Sequence, residues 1–349
     1  MKRAGVHKIA ELAGVSIGTV DRALHGRPGI REDTRKKILA IAKQLDYTPH
    51  PAARALSIGR AHLCIGVCIP EEIHFFYDQM RAGIKDEASR ASSLGIDIIH
   101  KPTPSLGENE KERITELLES KVSAMIITPG DPKVVTPLVN KAEKEGIKVV
   151  FTTTDAPQSN RSSIVGVDPY LTGKLAAELT AKFLPAESQA AVVTGMLSTE
   201  EHRAKAEGFR AEFESDCPGG KVIAILEAHE SEEESYRKTR ALLDEKPKLQ
   251  AIYVSTVNCM PVVRAVQERK RAGKIRLIAT DLFQQMIPYL EQGTIYASIY
   301  QDPYLQGQTA VRILIDHLTN GTLIPKTCYL NPGIVLRSNL GLFREATQK

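Results

Sequence analysis

The chain has 349 residues, of which 42% are hydrophobic and 25% are charged, and this composition excludes a disordered or membrane-embedded protein. The length is too great for one ordinary domain and suits a small domain joined to a body of one or two lobes. No apolar run reaches the roughly 18 residues of a membrane span. Because Met1 leads directly into a segment with Lys8 and Glu11, we expect no signal peptide and a cytoplasmic protein.

Charge is distributed unevenly along the chain. The first 60 residues contain twelve Lys or Arg and five Asp or Glu, a net charge of +7, whereas the other 34 basic and 37 acidic residues give −3. A basic end on a mildly acidic body indicates either a solvated basic surface or a bound polyanion. The motif within that end favours the polyanion.

The first predicted elements are a helix, a tight turn and a second helix. Four apolar residues recur with helical spacing: Val6, Ile9, Ala10 and Ala13. Gly14 ends this helix, Ser16 can cap the next, and Val20 and Leu24 form the inward face of the second helix. Its other face carries residues that a DNA major groove can accept: Ile17, Gly18, Asp21, Arg22 and His25.

A third helix is predicted from about Glu32 to Leu45, with Ile38, Leu39 and Ala42 among its apolar residues. The run from Val6 to Leu56 resembles the DNA-binding headpiece and hinge of the lactose/galactose repressor (LacI/GalR) family. The resemblance lies in the Ala-Gly-Val-Ser turn, the Thr-Val-x-Arg helix and the Tyr-x-Pro-x-x-x-Ala segment that begins at Tyr47.

The second helix predicts contacts to bases and phosphates. Arg22 can donate two hydrogen bonds to guanine O6 and N7, worth roughly 1–3 kcal/mol of discrimination. Ser16, Thr19 and Thr34 suit phosphates, which orient the protein without specifying a sequence. Phosphates repel Asp21 unless it accepts a hydrogen bond from a cytosine amine or from Arg22.

The resemblance implies further DNA-binding roles. Positions 17 and 18 select the operator subtype, and here they are Ile17 and Gly18, while His25 belongs to the same surface. Leu56 is the hinge residue that family members insert between base pairs; the alternative is a linker leucine packed on the body. Two adjacent headpieces imply a homodimer on near-palindromic DNA.

After Arg60, short β-branched runs alternate with amphipathic helices, which predicts an α/β body with parallel sheets. The predicted strands are 63–69, 96–100, 124–128, 149–153, 164–167, 190–194, 222–226, 251–255, 277–280 and 297–300. The predicted helices include 79–93, 110–120, 134–145, 171–183, 203–214, 232–243 and 261–271.

Two sheets of five or six strands fit this length better than one sheet of ten. We expect crossings between lobes at Asp168-Pro169, at Asp302-Pro303 and near residue 330, because Pro ends a strand and can begin a helix. The predicted division is an all-α headpiece at 1–48, a hinge helix and linker at 49–60, and a two-lobed effector-binding and dimerisation domain at 61–349.

The body resembles periplasmic sugar-binding proteins, and among these the ribose-type proteins. The similar segments are Phe76-Tyr77 followed by Gly83, the run from Val165 to Asp168, and the run from Ala297 to Gln301. The resemblance implies that Arg203, Asp281 and Gln301 hydrogen-bond sugar hydroxyls, and that the ligand lies between the lobes.

Other candidate ligand contacts come from the residues themselves. Phe75, Phe76 and Tyr77 could face a sugar ring or pack the lobes together, and Asp155 and Asn258 follow predicted strands. Ribose binders carry Asp-Arg where this chain has Thr153-Thr154, and Asn-Asp where it has Thr256-Val257. A different sugar, a polyol or a phosphorylated sugar therefore all fit.

The sequence contains no motif that indicates an enzyme or a metal site. The five cysteines include no Cys-x-x-Cys pair, and the nine histidines lack metal-ligand spacing, so we expect no metal and no cofactor. A Walker loop, Gly-x-Gly-x-x-Gly and His-Glu-x-x-His are also absent. The run from Gly14 to Gly18 matches Gly-x-Ser-x-Gly, but it lies in the turn between two predicted helices and not after a strand, so it does not indicate a hydrolase.

The hypothesis is a sequence-specific transcription regulator, a repressor rather than an enzyme, whose operator affinity a small carbohydrate-like effector controls. The alternatives are a sugar-binding transport protein and, less favoured, an enzyme of sugar metabolism. No leucine heptad follows Leu336, which favours a dimer over a tetramer. Whether the effector releases or promotes DNA binding stays open.

Overall fold

The computed structural model describes residues 6–24, 29–45 and 63–343. The predicted contact at His25 and the predicted hinge, including Tyr47 and Leu56, lie outside the described residues. None of the helices in the described part is long and apolar enough to cross a membrane.

Three helices form the N-terminal unit. They are α1 (Val6–Ala13), α2 (Ile17–Leu24) and α3 (Glu32–Gln44). The helices pack around Ile9, Val20 and Ile38, which are fully buried. Gly14 adopts φ +69°, a left-handed conformation that glycine reaches without the steric cost of a Cβ. Ser16 Oγ then accepts a hydrogen bond from the Thr19 backbone N–H at 3.2 Å, and the predicted helix-turn-helix is confirmed.

The first lobe of the body is a six-stranded parallel sheet with the order β11-β5-β4-β3-β1-β2. Its strands are β1 (Leu63–Cys68), β2 (Ile96–His100), β3 (Ala124–Ile127), β4 (Lys148–Thr152), β5 (Ser163–Gly166) and β11 (Cys328–Tyr329). Its helices are α4 (His74–Ser93), α5 (Glu110–Glu119), α6 (Pro132–Lys144) and α12 (Pro303–Asn320). Because every neighbouring pair is parallel, the carboxyl ends of these strands share one edge.

The second lobe repeats this plan with the order β12-β10-β9-β8-β6-β7. Its strands are β6 (Gln189–Thr194), β7 (Lys221–Glu227), β8 (Leu249–Val254), β9 (Arg276–Thr280), β10 (Ile295–Tyr300) and β12 (Gly333–Val335). Its helices are α7 (Pro169–Ala181), α8 (Glu200–Asp216), α9 (Glu232–Glu245), α10 (Cys259–Glu268), α11 (Ile287–Glu291) and α13 (Leu340–Phe343). Only β12, which runs antiparallel to β10, departs from the parallel arrangement of the described strands.

The chain passes between the lobes after β5, after β10 and after β11. At the first two crossings an Asp side chain caps the next helix: Asp168 Oδ1 accepts from the Leu171 N–H and Asp302 Oδ1 from the Leu305 N–H, both at 3.0 Å. The two crossings also share a sequence, since 168–173 reads Asp-Pro-Tyr-Leu-Thr-Gly and 302–307 reads Asp-Pro-Tyr-Leu-Gln-Gly.

Each lobe packs two helices at unusually close range through this shared sequence. In the first lobe, a Cβ added to Gly83 of α4 would overlap the carbonyl oxygen of Tyr304 in α12. In the second lobe, a Cβ added to Gly208 of α8 would overlap the carbonyl oxygen of Tyr170 in α7. Backbone contact of this kind requires glycine, so α4 and α8 occupy equivalent places in the two lobes.

The α/β prediction is confirmed, and all ten predicted strands are present with boundaries within two residues. Two helices begin three or more residues earlier than predicted: α4 starts at His74 instead of residue 79, and α8 starts at Glu200 instead of residue 203. The aromatic residues 75–77 therefore lie in a first helical turn and not in a loop. Leu39, expected on the apolar side of α3, is 45% exposed.

Candidate functional site

A cavity of about 40 Å³, the interlobe cavity, lies between the lobes where the carboxyl ends of the two sheets face each other. Its walls are Ile73, Phe76, Tyr77, Leu106, Thr153, Thr154, Thr199, Glu201, His202, Lys205, Glu230, Ser255, Thr256, Val257, Thr280, Asp281 and Gln301. That volume exceeds what one water molecule needs. It is far below the roughly 300–1,000 Å³ of ligand pockets, so a sugar-sized molecule can enter only when the lobes part.

A second, open cavity of about 360 Å³, the vestibule, adjoins the interlobe cavity. Its walls are Glu72, Ile73, His74, Phe75, Ser105, Leu106, Met196, His229, Glu230, Glu232, Val257 and Asn258. Ile73, Leu106, Glu230 and Val257 line both spaces. The vestibule and the interlobe cavity are therefore contiguous.

The first lobe contributes an aromatic wall. Phe76 and Tyr77 are both 3% exposed and contact each other edge to face, with ring centroids 5.1 Å apart. Beside them Thr153 follows β4 with φ +66°, a strained value for a β-branched residue, and its Oγ1 donates to Gln306 Oε1 at 3.1 Å. An apolar surface with a few hydroxyls suits the C–H face of a sugar ring.

Phe75 departs from its two neighbours. Its ring points away from the interlobe cavity, lines the vestibule and stacks on Phe283 of the second lobe at 4.5 Å between centroids. Two of the three predicted aromatic residues thus line the interlobe cavity and the third packs the lobes together, so each of the two open interpretations describes part of the cluster.

The second lobe contributes a charged wall from the first turns of α8, consisting of Glu201, His202 and Lys205. Lys205 is 1% exposed; its Nζ pairs with Glu201 Oε1 and lies 3.5 Å from the Ser255 carbonyl oxygen. Burial lowers the pKa of Lys205, but the Glu201 carboxylate outweighs burial and the pKa is raised. The ammonium therefore stays charged.

His202 connects two carboxylates. Its Nδ1 accepts a hydrogen bond from the Met196 N–H at 3.0 Å, which leaves Nε2 to carry a proton. Nε2 lies 3.3 Å from Glu201 Oε2 and 3.1 Å from Glu230 Oε1. Burial lowers the pKa of His202, but Glu201 and Glu230 raise it more, so the pKa lies above its usual value.

Glu230, in the loop after β7, is held by neutral donors as well. Its oxygens accept hydrogen bonds from Thr256 Oγ1, at 2.6 Å to the nearer oxygen, and from Asn258 Nδ2 at 2.9 Å. Burial raises the pKa of Glu230, but the hydrogen bond from His202 and the charge of His202 lower it by more. The pKa of Glu230 therefore lies below its usual value, and the carboxylate stays ionised. Asn258, predicted as a ligand contact, lines the vestibule and positions Glu230.

Asp281 and Gln301 form a pair at the ends of β9 and β10, and both line the interlobe cavity. Gln301 donates its Nε2–H to Asp281 Oδ2 at 2.9 Å, and its backbone N–H lies 3.3 Å from Oδ1. Asp281 is 4% exposed and has φ +63°. Burial raises the pKa of Asp281 to about 6, against the opposing effects of Lys205 and the Gln301 amide.

The structure corrects two predicted ligand residues. Arg203 is 45% exposed and pairs with Glu200 and Glu207 on the outer side of α8, because the helix begins three residues earlier than expected. Asp155 pairs with Arg161 through two contacts of 2.5 Å and lines a different cavity, which shares Thr153, Thr154 and Glu201 with the interlobe cavity. Neither side chain borders the interlobe cavity.

Four charged or titratable residues of the cavity were missed from sequence: Glu201, His202, Lys205 and Glu230. The first three have a helical signal, since positions 201, 202 and 205 share a face with Phe209, which is fully buried. Glu230 lies in a loop, where no periodicity identifies a buried side chain. Within the described ranges, no group of three His, Cys, Asp or Glu side chains could hold a metal ion.

The described DNA-binding candidates of the headpiece are all exposed or partly exposed. Ser16, Ile17, Gly18 and Arg22 are exposed, and Ile17 exposes 46% of its area. The three other described residues of the set are partly exposed: Thr19, Asp21 and Thr34. An exposed isoleucine and an exposed arginine on one short helix are consistent with contact to base edges, and the individual roles stay predictions.

Two family models match the chain. Residues 65–322 match the model described as "Periplasmic binding protein domain", and residues 6–50 match "Bacterial regulatory proteins, lacI family". The catabolite control protein A of Priestia megaterium is 26% identical over 324 residues, 91% of this chain and 93% of that protein. A D-ribose/D-allose-binding protein of Pseudomonas aeruginosa is 26% identical over 249 residues, 68% of this chain and 72% of that protein.

Solved structures resemble the body. GanP, a glucose-galactose binding protein from Geobacillus stearothermophilus, superimposes with a TM-score of 0.73 at 26% identity and covers 80% of this chain and 99% of its own. A solute binding protein from Bacillus halodurans with bound myo-inositol has the same TM-score at 19% identity, covering 82% of this chain and 98% of its own, and shows the fold alone.

Proposed function

Because the chain belongs to the periplasmic binding protein domain family and carries a lacI-family regulatory domain at its N-terminus, it is a ligand-regulated transcription regulator. From this premise we propose that a small polyhydroxylated ligand binds in the interlobe cavity and changes the affinity of the headpiece for its operator. We also propose a cytoplasmic homodimer on near-palindromic DNA, in which each helix-turn-helix contacts one half-site.

One observation supports the ligand site above all others. At the facing carboxyl ends of two parallel sheets, an aromatic wall from α4 stands opposite a wall of buried charged and amide side chains. Sugar recognition uses this combination, because ring C–H groups pack on aromatic faces and hydroxyls bond to charged or amide groups. The sugar-binding titles of relatives and structural neighbours support the same ligand class.

Closure of the lobes couples the two ends of the protein. Across the cleft Thr199 Oγ1 donates to the Gly130 carbonyl oxygen at 3.2 Å, and Tyr300 Oη donates to Gln79 Oε1 at 3.0 Å. A ligand that bridges the same walls favours the closed arrangement by its extra contacts with that state. The coupling is reciprocal, so operator DNA changes ligand affinity by the same factor.

The test begins with the full chain and a random duplex library, from which bound sequences are selected and their affinity is measured against salt. A regulator shows a linear fall of log affinity with log salt, with a slope of about −0.9 per phosphate contact. Sugars and polyols are then screened by thermal shift and added to the DNA-binding assay. A flat salt slope at every sequence contradicts the proposal, and turnover of a bound sugar favours the enzyme alternative.

A further inference from the structure

We propose that the ligand of the interlobe cavity carries a positively charged amino group in addition to its hydroxyls, as an amino sugar or an amino polyol does. This inference rests on the proposed function, which makes the cavity an effector site, and it narrows the class of effector.

The first argument is the balance of buried charge. Three carboxyl groups line the interlobe cavity, those of Glu201, Glu230 and Asp281, against Lys205 and His202. Even with His202 protonated, the carboxyl groups outnumber the cations by one. No arginine and no second lysine is among the described residues of the wall. Because an uncompensated buried charge is costly, a cation that enters this space supplies the missing counter-charge.

The second argument is that the existing cations are already neutralised. Lys205 Nζ pairs with Glu201 Oε1, and His202 Nε2 lies between Glu201 and Glu230. A phosphate or carboxylate on the ligand would therefore find no available cation in this wall and would face Asp281 nearby. This arrangement disfavours the phosphorylated sugar that the sequence left open.

The third argument is that the vestibule, like the interlobe cavity, has an excess of acidic side chains. Glu72, Glu230 and Glu232 line the vestibule, and no Lys or Arg is among its described wall residues. Its two histidines already have acidic partners: His74 lies 3.4 Å from Asp78, and His229 lies 3.0 Å from Glu234. A negative field along the approach concentrates cations at the mouth of a cleft.

The place for the cation is beside Glu230, the carboxylate that lines both spaces. An ammonium group donates three hydrogen bonds, and Glu230 and Asp281 provide charged acceptors in the second lobe. The aromatic wall of Phe76 and Tyr77 stands opposite and favours a cation over an anion through its ring faces. Asp281 is 4% exposed, so a cation beside it would replace the water that its carboxylate lacks.

The test compares ligands that differ in one group, using calorimetry on the full chain. The probes are glucose, glucosamine, N-acetylglucosamine and glucose 6-phosphate, with the same four forms of galactose and mannose. We expect one amino sugar to bind roughly tenfold to hundredfold more tightly than its parent and its uncharged N-acetyl form. Glu230→Gln should remove this preference, whereas Glu233→Gln, an exposed carboxylate on α9, should retain it.

A wild-type measurement covers the case in which Glu230→Gln fails to fold. Titrations in two buffers of different ionisation enthalpy report protons released on binding. A cation should displace protons from the cavity near pH 6.5, and a neutral sugar should release none. A neutral or phosphorylated probe that binds most tightly overturns the amino-ligand proposal but leaves the effector site intact. If no probe binds and none alters DNA affinity, both proposals fail.

Discussion

Asp281→Asn should remove a pH-dependent loss of stability that this buried carboxyl imposes on the free protein. Its pKa is about 6 in the folded chain, against an ordinary value of 3.8. A group with a raised folded pKa binds more protons in the folded state between those values, so the free energy of unfolding falls as pH rises through that window. About two pKa units correspond to roughly 3 kcal/mol, fully expressed above pH 6.

The assay is urea unfolding at pH 5 and pH 7.5. About one pH unit of the range between the two pKa values lies above pH 5. The free energy of unfolding of the wild type should therefore fall by roughly 1.4 kcal/mol relative to that of Asp281→Asn between the two pH values. Asp97→Asn, which changes an exposed carboxylate on β2, is the control and should follow the wild type. If Asp281→Asn and the wild type show parallel pH dependence, the carboxyl is not desolvated in the folded protein and the reasoning fails.

Three further substitutions test the packing, the DNA surface and the charged wall. Gly83→Ala should lower the thermal midpoint by several degrees, because its Cβ meets a backbone carbonyl and overpacking costs about 1–3 kcal/mol. Gly341→Ala, the control, has open space around it and should leave the midpoint unchanged. Arg22→Ala should abolish preference for the selected operator while non-specific binding survives, and equal loss of both counts against base contact. Lys205→Met should lower the free energy of unfolding by about 3–5 kcal/mol in chemical denaturation, because Glu201 loses the buried ammonium with which it pairs. Arg203→Met, the control, should change it by no more than about 0.5 kcal/mol, and similar effects of the two substitutions would contradict the assigned wall.

The architecture was predictable because the sheets are buried on both faces. Such strands appear as short continuous β-branched runs, and even the four-residue β3 and β5 are identifiable from them. The strands β11 and β12 have two and three residues and carry too few side chains for any periodic signal. Their place is set by the tertiary arrangement of the two lobes.

The charged wall of the interlobe cavity was less predictable, because which residues of α8 face the cavity depends on the rotational phase of the helix. A start placed three residues late made Arg203 the first residue of α8, whereas the actual start at Glu200 directs Lys205 inward and Arg203 outward. Each position on a helix turns the side chain by about 100°, so Arg203 and Lys205, two positions apart, point in nearly opposite directions. Asp281 and Gln301 line the cavity, because the position of a strand end depends less on such boundary errors; their contact with a ligand stays a prediction.

The repeated glycine contacts explain how a ligand in the cavity can act on the connections between the lobes. Lys205 directs its ammonium to the cavity, while its carbonyl oxygen lies against Gly173 of α7, in the first turns after the crossing at Asp168. In the first lobe the carbonyl oxygen of Met80, one turn after Phe76 and Tyr77, lies equivalently against Gly307.

These backbone contacts have no flexible side chain between the helices, so a displaced wall helix carries its partner with it. The helix of each wall therefore packs on the helix that follows one crossing. In the first lobe α4 packs on α12, and in the second lobe α8 packs on α7. Asp302, at the second crossing, has φ +51°, a conformation that costs a non-glycine residue free energy. A ligand that draws the two walls together thus acts on both crossings at once, which converts a local contact into rotation of one lobe against the other.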